Sequence, residues 1–162
     1  MRLSQILINR NENGINAFAL CRALITIEIS TGVTSIGEGA FSTTAFASIT
    51  WPAGVTVIAD RMFSNNPNLR SIIIPEGVTS IGGGAFQRTA LTNVTLPSTI
   101  KEIHFVAFAR IPSLTTVIIP DIVTSISFPN RSNIVNNAFI ESNSVTPDSQ
   151  AALRKVGYTG SF

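Results

Sequence analysis

One phrase, repeated at a nearly fixed interval, limits this chain to a single kind of architecture. Aligned on Pro75, the residues Ser30, Pro52, Pro75, Pro97 and Pro120 fall at alternating spacings of 22 and 23. The doublet before each reads Ile27/Ile29, Ile49/Trp51, Ile72/Ile74, Val94/Leu96 and Val117/Ile119. After it come Val33/Ile36, Val55/Ile58, Val78/Ile81, Ile100/Ile103 and Val123/Ile126. An aromatic then follows in step at Phe41, Phe63, Phe86 and Phe108, with Phe18 ahead of them. Self-similarity at a period of roughly 20–50 residues marks a solenoid, a propeller or an array of stacked units.

The patterning inside one unit selects the solenoid. Ile72 and Ile74 share one face and Ile73 the other, the period of a strand. Pro75 ends that strand, because proline cannot donate to a ladder. Val78 and Ile81 point inward on a second short extended side, with Thr79 and Ser80 outward. Gly82-Gly83-Gly84 turns a tight corner, and Ala85-Phe86 fills the core from the third side. A single coil of this kind buries too little apolar surface to stand alone, so coils must stack, strand beside parallel strand. The expected fold is a mostly β repeat solenoid with right-handed coils of 22–23 residues. It carries a parallel β-sheet on one face, a second row of short strands, and a short C-terminal capping helix. The alternating spacing arises at one corner: Phe41 to Ile49 and Phe86 to Val94 span eight residues, whereas Phe63 to Ile72 spans nine. A slip inside a strand is not tolerated in the same way, since it would turn every inward side chain outward.

The whole chain, 1–162, reads as one such domain. Residues 1–18 form an N-terminal cap, a truncated coil in which Ile6 and Ile8 match Ile72 and Ile74. Repeats occupy 19–139, with an insertion near 127–134 that delays the expected aromatic until Phe139. Residues 140–162 form the C-terminal cap, with a helix over about 147–156. Thr146 is its N-cap, Pro147 its first position and Gly157 its stop. Leu153 and Val156 should lie over the last coil.

The phrases IEISTGVTSIGEGAF, IIIPEGVTSIGGGAF and VTLPSTIKEIHFVAF resemble the BspA-like, treponemal-type leucine-rich repeats. Cys21, between Phe18 and Leu24, sits at the cysteine position of that pattern, and the tail AALRKVGYTGSF is similar to the close of spirochaete members. The resemblance covers about 17–139. It implies a solenoid used for binding, with some relatives acting as surface adhesins, and no enzymatic activity. The chain departs from the pattern at Ser30, Trp51, Ala59-Asp60-Arg61-Met62 and His104-Phe105-Val106.

Composition and residue placement exclude most chemistry. A formal net charge of +2 is too small for a dedicated nucleic-acid surface. One cysteine rules out an internal disulfide, and Cys21 reads as a core-filling thiol. The start carries only Ile6-Leu7-Ile8 as an apolar run, so no signal peptide is expected in this chain and it reads as soluble, whether cytoplasmic, periplasmic or exported by a signal outside this sequence. No stretch approaches the roughly 20 apolar residues of a membrane helix. His104 and Cys21 fall in different coils, which separates them beyond the reach of a nucleophilic pair. Gly82-Gly83-Gly84 lacks the lysine and the helix of a phosphate loop, and no carboxylate pair has an acid–base spacing. No catalytic residue, cofactor or metal site is expected.

Two surfaces remain. The outward face of the first strand row is flat and Thr-rich and carries Ile73 and Ile118. It is either ordinary β-favourable surface or a partner-binding face. The second lies where the pattern breaks: Phe105 and Val106 replace corner glycines one coil before the insertion that brings Phe128, Pro129 and Arg131. Either the loop covers Phe105 as part of the cap, or Phe105, Val106, Phe128 and Pro129 form an apolar patch rimmed by Arg131. The functional expectation is a non-catalytic module that binds a protein partner, with an architectural spacer as the alternative. A monomer is expected, an edge strand at Ile6-Leu7-Ile8 being the route to self-association.

Overall fold

Three sides recur in each turn of the chain, and each side is bonded differently to its neighbours. The computed structural model describes residues 14–129 and 137–162. On the second side, β1 (Val57–Ile58), β2 (Ser80–Ile81) and β4 (Glu102–Ile103) form a parallel sheet in the order β1-β2-β4. Ile58, Ile81 and Ile103 are in register and fully buried, as the inward pattern requires. A bridge from Glu102 to Ser127 carries this row to the start of the insertion.

The first side is less continuous than the sequence suggests. Only β3 (Asn93–Thr95) and β5 (Thr116–Ile118) pair as regular strands there. The other coils keep single bonds, such as Arg70 N–H to Ala47 O at 3.2 Å. Leu96 donates to Ile118 O at 2.9 Å on the side of β5, and Pro97 next to it has no N–H to offer toward the preceding coil.

The third side holds the longest ladder. Gly39, Phe41 and Thr43 donate to Asp60, Met62 and Ser64; Arg61, Phe63 and Asn65 donate to Gly83, Ala85 and Gln87. Gly84, Phe86 and Arg88 repeat the pattern to Phe105, Ala107 and Ala109, and Phe108 and Arg110 continue it to Ala138 and Ile140. These bonds run from 2.7 to 3.1 Å. The alternation depends on residues with positive φ at two places per coil, such as Gly84 (64°) with Arg88 (58°) and Val106 (52°) with Arg110 (58°). Gly84 is therefore the permissive residue of the glycine corner, yet Arg61 and Val106 take the same conformation. Gly82 is needed for a different reason, space. A Cβ there would lie 2.6 Å from Asp60 N and 2.7 Å from the Ala59 carbonyl carbon.

Inside this ladder the aromatic rings stack. Phe18, Phe41, Phe63, Phe86, Phe108 and Phe139 follow one another at 5.1–5.7 Å with interplanar angles of 7–20°. Phe46 and Trp51 meet the stack edge-on, and Trp51 Nε1 donates to Val55 O at 3.0 Å, which satisfies its one polar group. Three residues after each stacked ring comes a buried polar side chain in most coils: Thr44, Asn66, Thr89 and Ser142. Each is bonded to backbone; Asn66 Nδ2 donates to Phe41 O at 2.8 Å and Ser142 Oγ to Phe108 O at 2.7 Å. Cys21 occupies this position in the first described coil and is exposed, so the core-filling reading is corrected. Burial at this corner comes from coils on both sides, and among the described residues Cys21 has a neighbouring coil only at Thr44.

The far end is closed by α1 (Pro147–Lys155), one residue shorter than expected, with Thr146 as N-cap and Val156 as C-cap. Leu153 and Val156 are buried, as their spacing predicts. Ser149 Oγ accepts the Val117 N–H at 3.0 Å, so the helix covers the open edge of β5. Behind it Tyr158 packs among Phe128, Phe139 and Phe162, with Arg154 over the Tyr158 and Phe162 rings. Burial there pushes the phenol above its ordinary range. The proposed first coil around Ile6 and Ile8, and with it the edge strand, lies outside the described residues.

Candidate functional site

Glu38, Asp60, Gly83 and Phe105 occupy one outward position in four successive coils. Arg61 N–H to Gly83 O and Gly84 N–H to Phe105 O fix that order in space. Three of the four carry side chains. The missing one, at Gly83, leaves a cavity of about 220 Å³ between the Asp60-Arg61 wall and a wall made by Phe105, Val106 and Pro129. His104 and Gln87 complete the lining.

The polar groups around the cavity are mostly committed. Asp60 Oδ1 accepts the Gly83 N–H at 2.7 Å, which holds the corner of the next coil. Arg61 Nη1 reaches Glu38 Oε1 at 2.8 Å, and His104 Nε2 lies 3.2 Å from Glu102 Oε2. Asp60 has no basic partner among the described residues. The Gln87 amide makes no side-chain hydrogen bond among them.

Phe105, Val106 and Pro129 are thus brought together, all three half-buried. Phe128 is turned from the cavity to the cap, its ring 5.1 Å from that of Tyr158. Arg131 lies outside the described residues. Ile73 and Ile118 sit apart from the cavity on the first side, 82% and 50% exposed, in one row with Thr95, which pairs with Ile118. The part of Asp60 in the site was missed in the sequence, although the repeat register alone places Asp60, Gly83 and Phe105 in one row. Reading that row across coils, rather than each departure along the chain, would have found it.

No group of three His, Cys, Asp or Glu side chains among the described residues could hold a metal ion. No described helix is long and apolar enough to cross a membrane.

Stacked coils of 22–23 residues, an inward aliphatic pattern and a capped end define a leucine-rich-repeat solenoid. The chain belongs to the BspA type leucine rich repeat family, whose model matches six copies over residues 11–146. No curated protein matches it. A leucine-rich repeat protein from Bacteroides ovatus is similar at 28% identity and TM-score 0.70, over 88% of this chain and 38% of that one. A leucine rich cell surface protein from Faecalibacterium prausnitzii matches 73% of this chain and 32% of its own length, at 26% identity and TM-score 0.62. The leucine-rich repeat protein of T. pallidum, 22% identical, shares the fold over 99% of this chain and 79% of its own, with TM-score 0.70. The chain therefore spans about a third of the first and second of these proteins. Leucine-rich repeats generally bind proteins and generally carry no catalytic activity, and no enzyme family is evident here.

Proposed function

We propose that this chain is a monomeric, non-catalytic protein-interaction module of adhesin-like type, binding a host or surface protein through the corner around Phe105, Val106 and Pro129. The observation that carries the reading is the cavity itself: apolar side chains stand half-buried at a gap in an otherwise filled row. A spacer has no use for apolar bulk at an outward corner that carries Glu38, Asp60 and Gly83 in the preceding coils. Ile73 and Ile118 offer a second contact area on the first side, which Phe128 does not join because it serves the cap. The similarity to a cell surface protein supports an outward-facing role.

Surface plasmon resonance over purified extracellular-matrix proteins tests this. A partner bound by the wild-type chain and lost in Phe105→Asp, with circular dichroism unchanged, supports the corner as its site. A partner lost only on Ile73→Glu or Ile118→Glu moves the site to the first side. No binding across a broad panel of surface proteins favours the architectural spacer.

A further inference from the structure

The cavity is small, charged on one side and aromatic on the other, and those three properties select its occupant. Pockets for cofactors and drug-sized ligands run to roughly 300–1,000 Å³. At about 220 Å³, this one suits a single side chain.

Charge narrows the choice. The chain as a whole is weakly basic, at +2, yet this corner gathers Glu38, Asp60 and Glu102. Arg61 pairs with Glu38 and His104 lies against Glu102, whereas Asp60 has no basic partner among the described residues. Among the described residues only its Oδ1 is used, by the Gly83 N–H, and a carboxylate has about four lone-pair sites to offer. An anion would be repelled here, and an apolar plug would bury that carboxylate unpaired. Arg61 does not supply the missing charge, since it lies 2.8 Å from Glu38.

The opposite wall distinguishes between cations. Phe105 is half-buried and makes no ring contact with another aromatic among the described residues, unlike the stacked phenylalanines. Gln87 presents a second acceptor, its amide free of hydrogen bonds among the described residues. A planar group with several donors can meet Asp60 and Gln87 while lying against an aromatic face; a compact ammonium cannot do all three.

We propose that the slot between Asp60 and Phe105 receives an arginine side chain presented by a protein partner. This rests on the interaction-module reading and gives it a chemistry. Gly83 is the specificity element: any side chain there enters the space the guanidinium needs, and a Cβ already comes within 3.4 Å of Phe105 O.

The test is a ¹⁵N–¹H NMR titration of the full chain with the peptide acetyl-Gly-Gly-Arg-Gly-amide. Its controls are the citrulline analogue, neutral but of the same shape, and the lysine analogue. The expected result is a saturable shift of the Gly83, Gly84, Phe105 and Val106 amides, with affinity at least about tenfold weaker for citrulline. Asp60→Asn should weaken the arginine peptide to the same degree. Asparagine keeps an acceptor for the Gly83 N–H, and unchanged dispersion elsewhere in the spectrum shows that the corner is intact. No saturable shift at these amides overturns the proposal, as does Asp60→Asn binding like wild type. Equal binding of citrulline also overturns it and points to a neutral hydrogen-bonding ligand such as a sugar. The titration reads the slot without any partner, so its failure is separate from failure of the matrix panel.

Discussion

Removing one ring from the middle of the phenylalanine stack should cost far more than removing one from its end. Phe86 is fully buried, with Phe63 at 5.5 Å on one side and Phe108 at 5.1 Å on the other, both within 13° of parallel. Phe→Ala in a core typically costs about 3–5 kcal/mol, and stacked pairs add about 0.5–1.5 kcal/mol each beyond area burial. Two such pairs place Phe86→Ala near the top of that range, about 4–5 kcal/mol. Phe18 is only partly buried and stacks on one ring, Phe41, at 5.7 Å, so Phe18→Ala should cost about 1–2 kcal/mol. Domains of this kind have about 5–15 kcal/mol in all, so Phe86→Leu, expected at about 1–2 kcal/mol, covers the case where the alanine variant unfolds. Urea unfolding followed by circular dichroism reads all three. Equal costs for Phe86→Ala and Phe18→Ala, to within about 0.5 kcal/mol, would show that stability is not transmitted from coil to coil through the rings.

Gly82→Ala should destabilise by about 1–3 kcal/mol in the same assay, because its Cβ meets the backbone of Asp60 at 2.6 Å, whereas Gly32→Ala, with nothing within 4 Å, should be neutral or slightly stabilising. The Ser98 backbone N–H and hydroxyl, at 2.9 and 2.7 Å, hold the Glu76 carboxyl below its ordinary range. A depressed folded-state pKa stabilises above the unfolded value and is lost as pH falls through the folded one, so Glu76→Gln should flatten the acid limb of a Tm-against-pH curve. Identical acid limbs for the two proteins would refute that assignment. Ser149→Ala strands the Val117 N–H at the capped edge and should cost about 1–3 kcal/mol, a loss that Ser149→Thr should partly recover if its hydroxyl reaches the same donor.

Much of this fold was legible because its determinants are periodic. The inward aliphatic pairs, the aromatic step and the capping helix each depend on residues a fixed distance apart in sequence, and Ile58, Ile81 and Ile103 fall into register as that spacing demands. The third-side ladder was not legible. It is built from positive-φ residues, and the sequence hides them behind Arg61, Arg88, Val106 and Arg110 where glycine would have announced the conformation. Cys21 was misjudged because its burial depends on how many coils flank it, which pattern matching within one coil cannot weigh. Phe128 was placed with Phe105 by sequence offset, but Tyr158 drew its ring to the cap. The cavity was half legible. Apolar bulk at 105 and 106 stood out as a departure, while Asp60 read as a local corner change and Gly83 as part of an ordinary glycine turn.

That last failure points to how a stack of this type makes a binding site. The ladder and the rings fix every coil from within, and the ring spacing of 5.1–5.7 Å repeats from Phe18 to Phe139. At outward positions such as Glu38, Asp60, Gly83 and Phe105 the backbone joins that ladder while the side chain stays out of the ring stack, so the residue differs from coil to coil without disturbing the core. Omitting one side chain from such a row opens a slot whose width is set by two coil spacings, about 9–10 Å between wall backbones. Subtracting the contact radii of the walls leaves about 6 Å, enough for one planar group about 3.5 Å thick but not for two. Slot width is thus quantised by the coil, and the two flanking residues, with lining groups such as Gln87, choose the chemistry. A row reading acid, glycine, aromatic encodes a site for a flat cation, and the order of residues 60, 83 and 105 is that code.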